Sequence, residues 1–261
     1  MRPVIITANW KMNTSPADAG PLAVEIAKAT EVAGVNRIIC PPYVALAPVK
    51  AALAGMDVAV GAQNVHAEAK GAYTGEISAS MLVGLASWCI VGHSERRRDQ
   101  FESDALIGQK IVRLVEAGIS PMLCCGEQLE EREAGAAVRT VQAQVKAVLE
   151  VVLDQGGSLP DDLVIAYEPV WAIGTGKTAS GADAAEMADA IRATLADLAG
   201  AAFAEATPVL YGGSVTADSF AEFMAEPAVD GALIGGASLK ADQMSGIAAT
   251  AAEAAAARAK G

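Results

Sequence analysis

Eight short apolar segments, separated by segments with helical periodicity, constrain the fold of this chain more than any other feature. They recur at intervals of roughly 20 to 45 residues and are partly β-branched, as buried strands are. The predicted strands are residues 4–8, 37–40, 58–62, 88–91, 121–124, 163–167, 208–211 and 232–234. Strand and helix alternating eight times without a low-complexity linker predict an α/β fold, a (β/α)8 barrel forming a single domain over residues 1–261.

The helical segments between these strands support the barrel. One carries a single apolar stripe of valines at spacings of three and four, namely Val138, Val141, Val145, Val148 and Val152. The alanine-rich residues 247–260 predict a last helix, with Arg258 and Lys260 favourably placed near its C-terminus. A doubly wound open sheet is the alternative, but it normally has fewer strands, and no G-x-G-x-x-G follows the first strand.

Composition narrows the class of protein. Lysine plus arginine against aspartate plus glutamate gives 19 − 31 = −12, which disfavours nucleic-acid binding. No apolar run reaches the ~18 residues of a membrane helix, and residues 1–15 lack a signal-peptide pattern. The four cysteines lack C-x-x-C spacing and lie in strand-like segments, so we expect buried thiols and a cytoplasmic location.

The segment 166–177, A-Y-E-P-V-W-A-I-G-T-G-K, points to chemistry. Glu168 directly follows a predicted buried strand, and Pro169 prevents the strand from continuing. A carboxylate in this position is placed like a catalytic base. The loop that follows has a stiff start and a glycine-rich tip, which suits a lid that closes as one piece.

The end of this segment also resembles a nucleotide-binding P-loop. That motif, G-x-x-x-x-G-K-[ST], requires a glycine five residues before Gly176. The position holds Trp171, so the segment does not match.

Further polar and glycine-rich segments follow other predicted strands, and in a barrel all of them lie on one rim, where active sites form. They are residues 9–13 (N-W-K-M-N), 92–97 (G-H-S-E-R-R), 211–215 (Y-G-G-S-V) and 235–238 (G-G-A-S). Glycine pairs after strands 7 and 8 allow backbone N–H groups to approach a phosphate, with Ser214, Gly235 and Gly236 as donors and a short helix starting near Gly236.

A histidine, a lysine and an acid complete the predicted rim. His93 precedes Ser94, a predicted N-cap, so the positive helix end should favour a neutral ring that donates a hydrogen bond to a carbonyl. Lys11 would stabilise a developing oxyanion and the phosphate, and Glu95 is placed to hold Lys11 across the site. These groups predict proton abstraction beside a carbonyl through an enediolate. Because the sequence shows neither metal ligands nor a nucleotide fingerprint, we expect no cofactor and no metal.

The same segments, with residues 61–65 (G-A-Q-N-V) and 71–78 (G-A-Y-T-G-E-I-S), resemble the triosephosphate isomerase family from end to end. In that family a neutral histidine polarises the substrate carbonyl and a loop closes over the site. The resemblance implies a TIM barrel that interconverts dihydroxyacetone phosphate and glyceraldehyde 3-phosphate in glycolysis and gluconeogenesis.

The resemblance also implies roles for individual residues. Glu168 would be the base and His93 the electrophile, while Asn9 and Lys11 would bind substrate. The residues implied for the phosphate are Gly174, Ser214, Gly235 and Gly236. Supporting positions are Glu95, Tyr211 and Thr74. The family is usually dimeric, and residues 63–76 resemble the loop that reaches the neighbouring subunit and brings Thr74 near its active site.

Departures from the family are few. Cys125 follows Cys124 where an apolar residue is more usual, and Arg98 adds a third arginine to G-H-S-E-R-R. Neither is expected to touch the chemistry.

Two rival functions remain open at this point. One is a barrel that binds phosphorylated sugars without catalysis, which intact Glu168, His93 and Lys11 argue against. The other is a sugar-phosphate epimerase, which typically needs a metal for which no ligand cluster is visible here.

Overall fold

A closed barrel of parallel strands organises the protein. The computed structural model describes residues 2–173 and 178–259. Within them, eight strands pair in chain order, and the eighth closes on the first. The strands are β1 (Val4–Asn9), β2 (Val35–Cys40), β3 (Ala59–Ala62), β4 (Trp88–Val91), β5 (Ser120–Cys125), β6 (Val164–Tyr167), β7 (Val209–Tyr211) and β8 (Gly231–Ile234). The predicted (β/α)8 barrel is confirmed, and every predicted strand boundary lies within about two residues of the observed one.

The α-helices surround this barrel. In the described residues they are α1 (Pro16–Ala29), α2 (Leu46–Ala52), α3 (Ala79–Leu82), α4 (Ser94–Asp99), α5 (Asp104–Glu116), α6 (Leu129–Glu133), α7 (Ala137–Gly156), α8 (Gly181–Ala199), α9 (Ala201–Ala206), α10 (Phe220–Met224) and α11 (Ala241–Arg258). None of these described helices combines the length and apolar character needed to cross a bilayer.

Two helices test the sequence periodicity directly. The valine stripe of α7 packs inward as predicted, with Val141, Val145, Val148 and Val152 buried and Val138 half-buried. The last helix begins at Ala241, six residues earlier than predicted, because Met244 is already part of the core. Its predicted end at Lys260 lies outside the described residues.

The core has two layers, as the alternation of side chains along each strand requires. One set of strand residues, including Ile5, Ile90 and Leu210, forms a cluster of its own that fills the barrel. The intervening residues, such as Ile6 and Val91, pack with the helices in a larger outer cluster. The four cysteines are all buried free thiols, as predicted.

The face at the N-terminal ends of the strands is closed by an ion cluster. Asp230 is fully buried and contacts Arg2, Arg192 and Arg258 at 2.6–2.9 Å. Their remaining guanidinium bonds go largely to backbone carbonyls, among them Pro227. This cluster joins the start of the chain to α8 and α11, and it leaves the opposite face for chemistry.

Candidate active site

An open cavity of about 740 Å³ lies at the C-terminal ends of the strands, a volume typical of small-molecule sites. Most of the predicted site residues line it: Asn9, Lys11, His93, Glu95, Glu168, Ser214, Gly235 and Gly236. Gly174 lies outside the described residues. Loops after five different strands therefore converge on one cavity, as the rim prediction required.

Glu168 occupies the floor of this cavity and is held by three donors. Its side chain is 1% exposed. Its Oε2 accepts a hydrogen bond from the backbone N–H of Ser94 at 2.8 Å, and Oε1 accepts from the Ser94 hydroxyl at 3.2 Å. His93 Nε2 lies 3.0 Å from Oε1. A carboxylate with this many donors is stabilised in its charged form.

The pKa of Glu168 follows from these contacts. Burial raises the pKa, but the adjacent His93, the Ser94 N–H and the Lys11 ammonium together outweigh burial and hold it below its ordinary value. Glu168 is therefore a carboxylate at neutral pH, the state required of a base.

His93 is the N-cap of α4, a correction of the prediction that Ser94 holds that position. Ser94 is the first helical residue, and the side-chain Nδ1 of His93 accepts a hydrogen bond from the N–H of Glu95 at 3.2 Å. An imidazole that accepts at Nδ1 carries its proton on Nε2, which matches the expected neutral hydrogen-bond donor.

The charge of Glu168 opposes this neutral form. Burial lowers the pKa of His93, but the carboxylate of Glu168 and its hydrogen bond raise it further, so the pKa lies above its ordinary value. The prediction from the helix end alone omitted this neighbour. The neutral ring is favoured only to the extent that Glu168 turns away from Nε2.

Lys11 projects into the same cavity from the segment after β1. Its Nζ lies 2.7 Å from Glu95 Oε1, so the predicted pairing across the site is present. The backbone of Lys11 is left-handed, with φ 53°, a conformation that costs a non-glycine residue of order 1–3 kcal/mol. The side chain of Asn9 accepts the Lys11 N–H at 3.1 Å, and Gln63 donates to the Lys11 carbonyl at 2.9 Å. Two amide side chains thus hold the strained residue.

The glycine-rich segments after β7 and β8 form the wall nearest Lys11. Gly235 is close to that side chain, because a Cβ built on it would lie 3.8 Å from Nζ. A 3-10 helix over Gly236–Leu239 begins where predicted. Ser214 is exposed to the cavity, and its hydroxyl contacts the carbonyl of Ala172 at 3.4 Å. Lys11 and the glycine-rich segments after β7 and β8 therefore line one part of the cavity, which suits an anion.

Two supporting residues lie away from the cavity lining. Tyr211 is buried beneath the glycine pair and stacks on Phe223 with ring centroids 3.9 Å apart. Its hydroxyl occupies the space that a side chain at Gly213 would need, since a Cβ there would lie 2.2 Å from it. Tyr211 therefore shapes the glycine-rich wall from below.

Thr74 lies in the loop of residues 63–76 and does not line the cavity of its own chain. All of residues 68–76 are exposed, and the contacts within the loop are local, such as His66 against Tyr73 with ring centroids 4.6 Å apart. The two ends of the loop are held by a hydrogen bond from the His66 N–H to the Ile77 carbonyl. The start of the loop, in contrast, is buried in its own subunit at Asn64 and Val65, so only its outer part is exposed.

Sequence reasoning missed three residues: Ser94 and Arg98, which line the cavity, and Glu127, which contacts residues on either side of Glu168. Ser94 was interpreted only as a helix cap. Glu127, which follows β5 closely, is fully buried and accepts hydrogen bonds from Tyr167 and Trp171 at 3.0 and 2.7 Å. Its position after a buried strand is the signal that singled out Glu168, so it could have been found. Arg98, expected to lie apart from the site, lines the cavity mouth and pairs with Asp99.

Among residues 2–173 and 178–259, no three His, Cys, Asp or Glu side chains converge in an arrangement that could hold a metal ion. The prediction that the chemistry needs no metal is left to experiment.

Comparison with known proteins identifies the family. The family profile of triosephosphate isomerase matches residues 4–251. The triosephosphate isomerase of Carboxydothermus hydrogenoformans is 46% identical over 250 residues, covering 95% of this chain and 98% of the relative. That of Thermus thermophilus is 47% identical over 241 residues, covering 92% and 95%, and that of one Dehalococcoides mccartyi strain is 44% identical over 243 residues, covering 93% and 94%. The chain belongs to the triosephosphate isomerase family.

Proposed function

We propose that Glu168 is the base of the isomerase reaction, with His93 and Lys11 stabilising the intermediate. The reaction interconverts dihydroxyacetone phosphate and D-glyceraldehyde 3-phosphate, in glycolysis and gluconeogenesis. The observation that carries the assignment is the contact of a buried carboxylate with His93 Nε2 at 3.0 Å, beside a cavity that also holds the Lys11 ammonium.

The reaction begins with removal of a proton from the carbon next to the carbonyl. Glu168 takes the proton from C1 of dihydroxyacetone phosphate, and the electron pair of the C–H bond moves to form the enediolate. The negative charge appears on the former carbonyl oxygen, where His93 Nε2–H and the Lys11 ammonium stabilise it. A proton then moves from the C1 hydroxyl to the C2 oxygen, and the protonated Glu168 gives its proton to C2 while the C1 oxygen becomes the aldehyde oxygen.

The hydrogen bonds of Glu168 couple the base to the electrophile. To reach a C–H bond, the carboxylate has to leave Ser94 and His93. When it leaves, His93 Nε2–H becomes available to the substrate carbonyl, and the charge that raises the pKa of His93 moves away. The base and the neutral donor are therefore prepared by the same movement.

Phosphate binding is supported by the wall near Lys11. We infer that Ser214, Gly235 and Gly236 donate to the phosphate of the substrate from the loops after β7 and β8. Asn9 would contact the substrate from the end of β1, where it is 5% exposed. Gly174, implied by family resemblance, is proposed from the sequence alone.

The proposed partner is a second copy of this chain. Support comes from the exposed residues 68–76 of the loop and from large apolar side chains exposed on the same subunit, including Met12 (95%) and Phe101 (87%). In a homodimer, Thr74 of each loop would approach the other subunit's active site. We further propose that residues 1–261 form one domain and act in the cytoplasm, where four free thiols remain reduced.

The substitution Glu168→Asp tests the base. It withdraws the carboxylate by about one methylene, and a misplacement of this size can lower kcat ~10²-fold while KM stays within a small factor. An unchanged kcat in a coupled isomerase assay would show that Glu168 is not the base.

A chelator tests the metal-free mechanism. Activity should survive EDTA without any added nucleotide. Activity lost on chelation and restored by a divalent cation would exclude the mechanism as written.

A further inference from the structure

Gln144 makes a paired contact with the backbone of Gly126. Gln144 lies on α7, beside the buried valine stripe. Its Oε1 accepts the N–H of Gly126 at 2.9 Å, and its Nε2 donates to the carbonyl of the same residue at 3.0 Å. Only one orientation of the amide satisfies both bonds, so the side chain fixes the position of Gly126 relative to α7.

Gly126 in turn lies directly against the backbone of Glu168. A Cβ built on Gly126 would lie 1.7 Å from the carbonyl oxygen of Glu168, so no side chain fits between the two residues. The preceding residue, Cys125, accepts the N–H of Glu168 at 2.7 Å. The backbone of Glu168 is therefore located on this side by the turn after β5.

The residue after Gly126, Glu127, contacts the loop that follows Glu168. Glu127 is fully buried and accepts hydrogen bonds from the Trp171 indole and the Tyr167 hydroxyl, residues on either side of Glu168 in sequence. A shift of the Gly126–Glu127 backbone would displace Glu168 and its neighbours together.

We propose that Gln144 is a positioning residue for Glu168, acting through Gly126. The inference rests on the proposed role of Glu168 as base. In that reaction the carboxylate exchanges its bonds to Ser94 and His93 for the substrate, so its backbone must stay in place while the side chain moves. Gln144 fixes the surface against which that backbone rests.

The substitution Gln144→Met tests this role, because it keeps the length of the side chain and removes both hydrogen bonds. We expect kcat to fall about tenfold with KM within about threefold, since small displacements of a reacting group cost rate rather than binding. The deuterium isotope effect on kcat with substrate deuterated at C1 should increase, because proton abstraction becomes more nearly rate-limiting.

Gln142→Met is the matched control. Gln142 lies on the same helix and donates a hydrogen bond to the carbonyl of Ala190 at 3.3 Å, on the side of α8. This variant should keep the kcat and isotope effect of the parent. A kcat of Gln144→Met within twofold of the parent, or an equal loss in both variants, would overturn the proposal.

Two further variants keep the test decisive. Gln144→Glu keeps the acceptor for the Gly126 N–H and loses the donor. If Gln144→Met does not fold, the kcat and isotope effect of Gln144→Glu are compared with those of the parent and of Gln142→Met instead. If neither folds while Gln142→Met does, Gln144 is a structural requirement and the proposal is wrong. Glu168→Asp, assayed alongside, separates the two proposals. Full activity of Glu168→Asp would refute the assignment of Glu168 as base. A large loss in Glu168→Asp together with a fully active Gln144→Met would refute only the positioning role of Gln144.

Discussion

Lys11 Nζ and Glu95 Oε1 lie 2.7 Å apart and join the segment after β1 to the first turn of α4. Lys11 has a left-handed backbone and a flexible side chain, so its ammonium needs an external partner to stay in the cavity. Because Glu95 is a neighbour of His93 in sequence, the pair also fixes the distance between the two groups proposed to stabilise the enediolate.

Glu95→Gln should therefore lower activity although Glu95 does not touch the proposed reacting atoms. The amide keeps the size of the side chain and loses its charge, so Lys11 becomes less well placed. We expect kcat/KM to fall at least tenfold but by less than the ~10²–10³ found when an oxyanion donor is removed outright. Steady-state kinetics in both directions measure the loss.

Glu116→Gln provides the control for that experiment. Glu116 forms an ion pair of similar length with Arg113, at 2.5 Å, on the outer surface of α5. Its replacement should leave kcat/KM unchanged. If both variants keep full activity, Lys11 holds its position without Glu95.

The low pKa of Glu168 predicts how stability depends on pH. A carboxylate whose folded pKa lies below the ordinary value of 4.5 stabilises the protein fully above that value, and the contribution is lost as pH falls through the folded pKa. Glu168→Gln lacks this contribution at every pH. The difference in free energy of unfolding between parent and variant should therefore be largest near pH 6 and shrink below pH ~4.

Denaturant unfolding at several pH values measures this difference. A difference that stays constant or grows on acidification would mean that Glu168 does not have a lowered pKa in the folded protein.

The parts of this site that follow from strand order alone could be predicted from the sequence, and the other contacts could not. The strand ends place Glu168, His93 and Lys11 on one rim, and that much follows from counting strands. The bond from Ser94 to Glu168 joins residues 74 positions apart, across the ends of β4 and β6. It depends on the barrel closing with a particular stagger, which periodicity does not contain.

The same limit explains why the pKa of His93 was misjudged. The helix end is a local feature and was found from the sequence, whereas the neighbouring charge of Glu168 is a tertiary contact. The link from Gln144 to Gly126 was missed for the same reason, since a glutamine beside a valine stripe is indistinguishable from a surface residue by pattern.

Asp230→Ala should destabilise the barrel severely. It leaves Arg2, Arg192 and Arg258 without their shared buried carboxylate, and removing one partner of a buried ion pair typically costs about 3–5 kcal/mol. Thermal and denaturant unfolding measure the loss. A variant as stable as the parent would show that the backbone carbonyls around the three arginines suffice.

Removal of residues 173–176 tests the predicted lid. Residues 174–176 lie outside the described residues, so the prediction rests on the sequence. The shortened protein should fold, consume dihydroxyacetone phosphate and release methylglyoxal, because an open site lets the enediolate expel phosphate into water. Clean isomerisation by this variant would show that the segment is only a connection.

Replacing residues 67–73 with a short turn tests the dimer. Residues 68–73 are exposed, so their removal should cost the barrel little. If the loop docks on a second copy and fixes Asn9 and Lys11 through Thr74, the variant should be a soluble monomer whose kcat falls far more than its helical content. Sedimentation, circular dichroism and kinetics on one sample make the comparison.

The reason for expecting this loss lies in the root of the loop. Gln63, at its first position, donates to the carbonyls of Lys11 and Cys40 at 2.9 and 2.8 Å, so the loop is already joined to the strained lysine within one subunit. Docking of the loop on a partner would restrain that root, and an undocked loop would leave Lys11 freer to relax from φ 53°. A fully active monomer would mean that Gln63 and Asn9 hold Lys11 unaided, and that the loop serves only to join two copies.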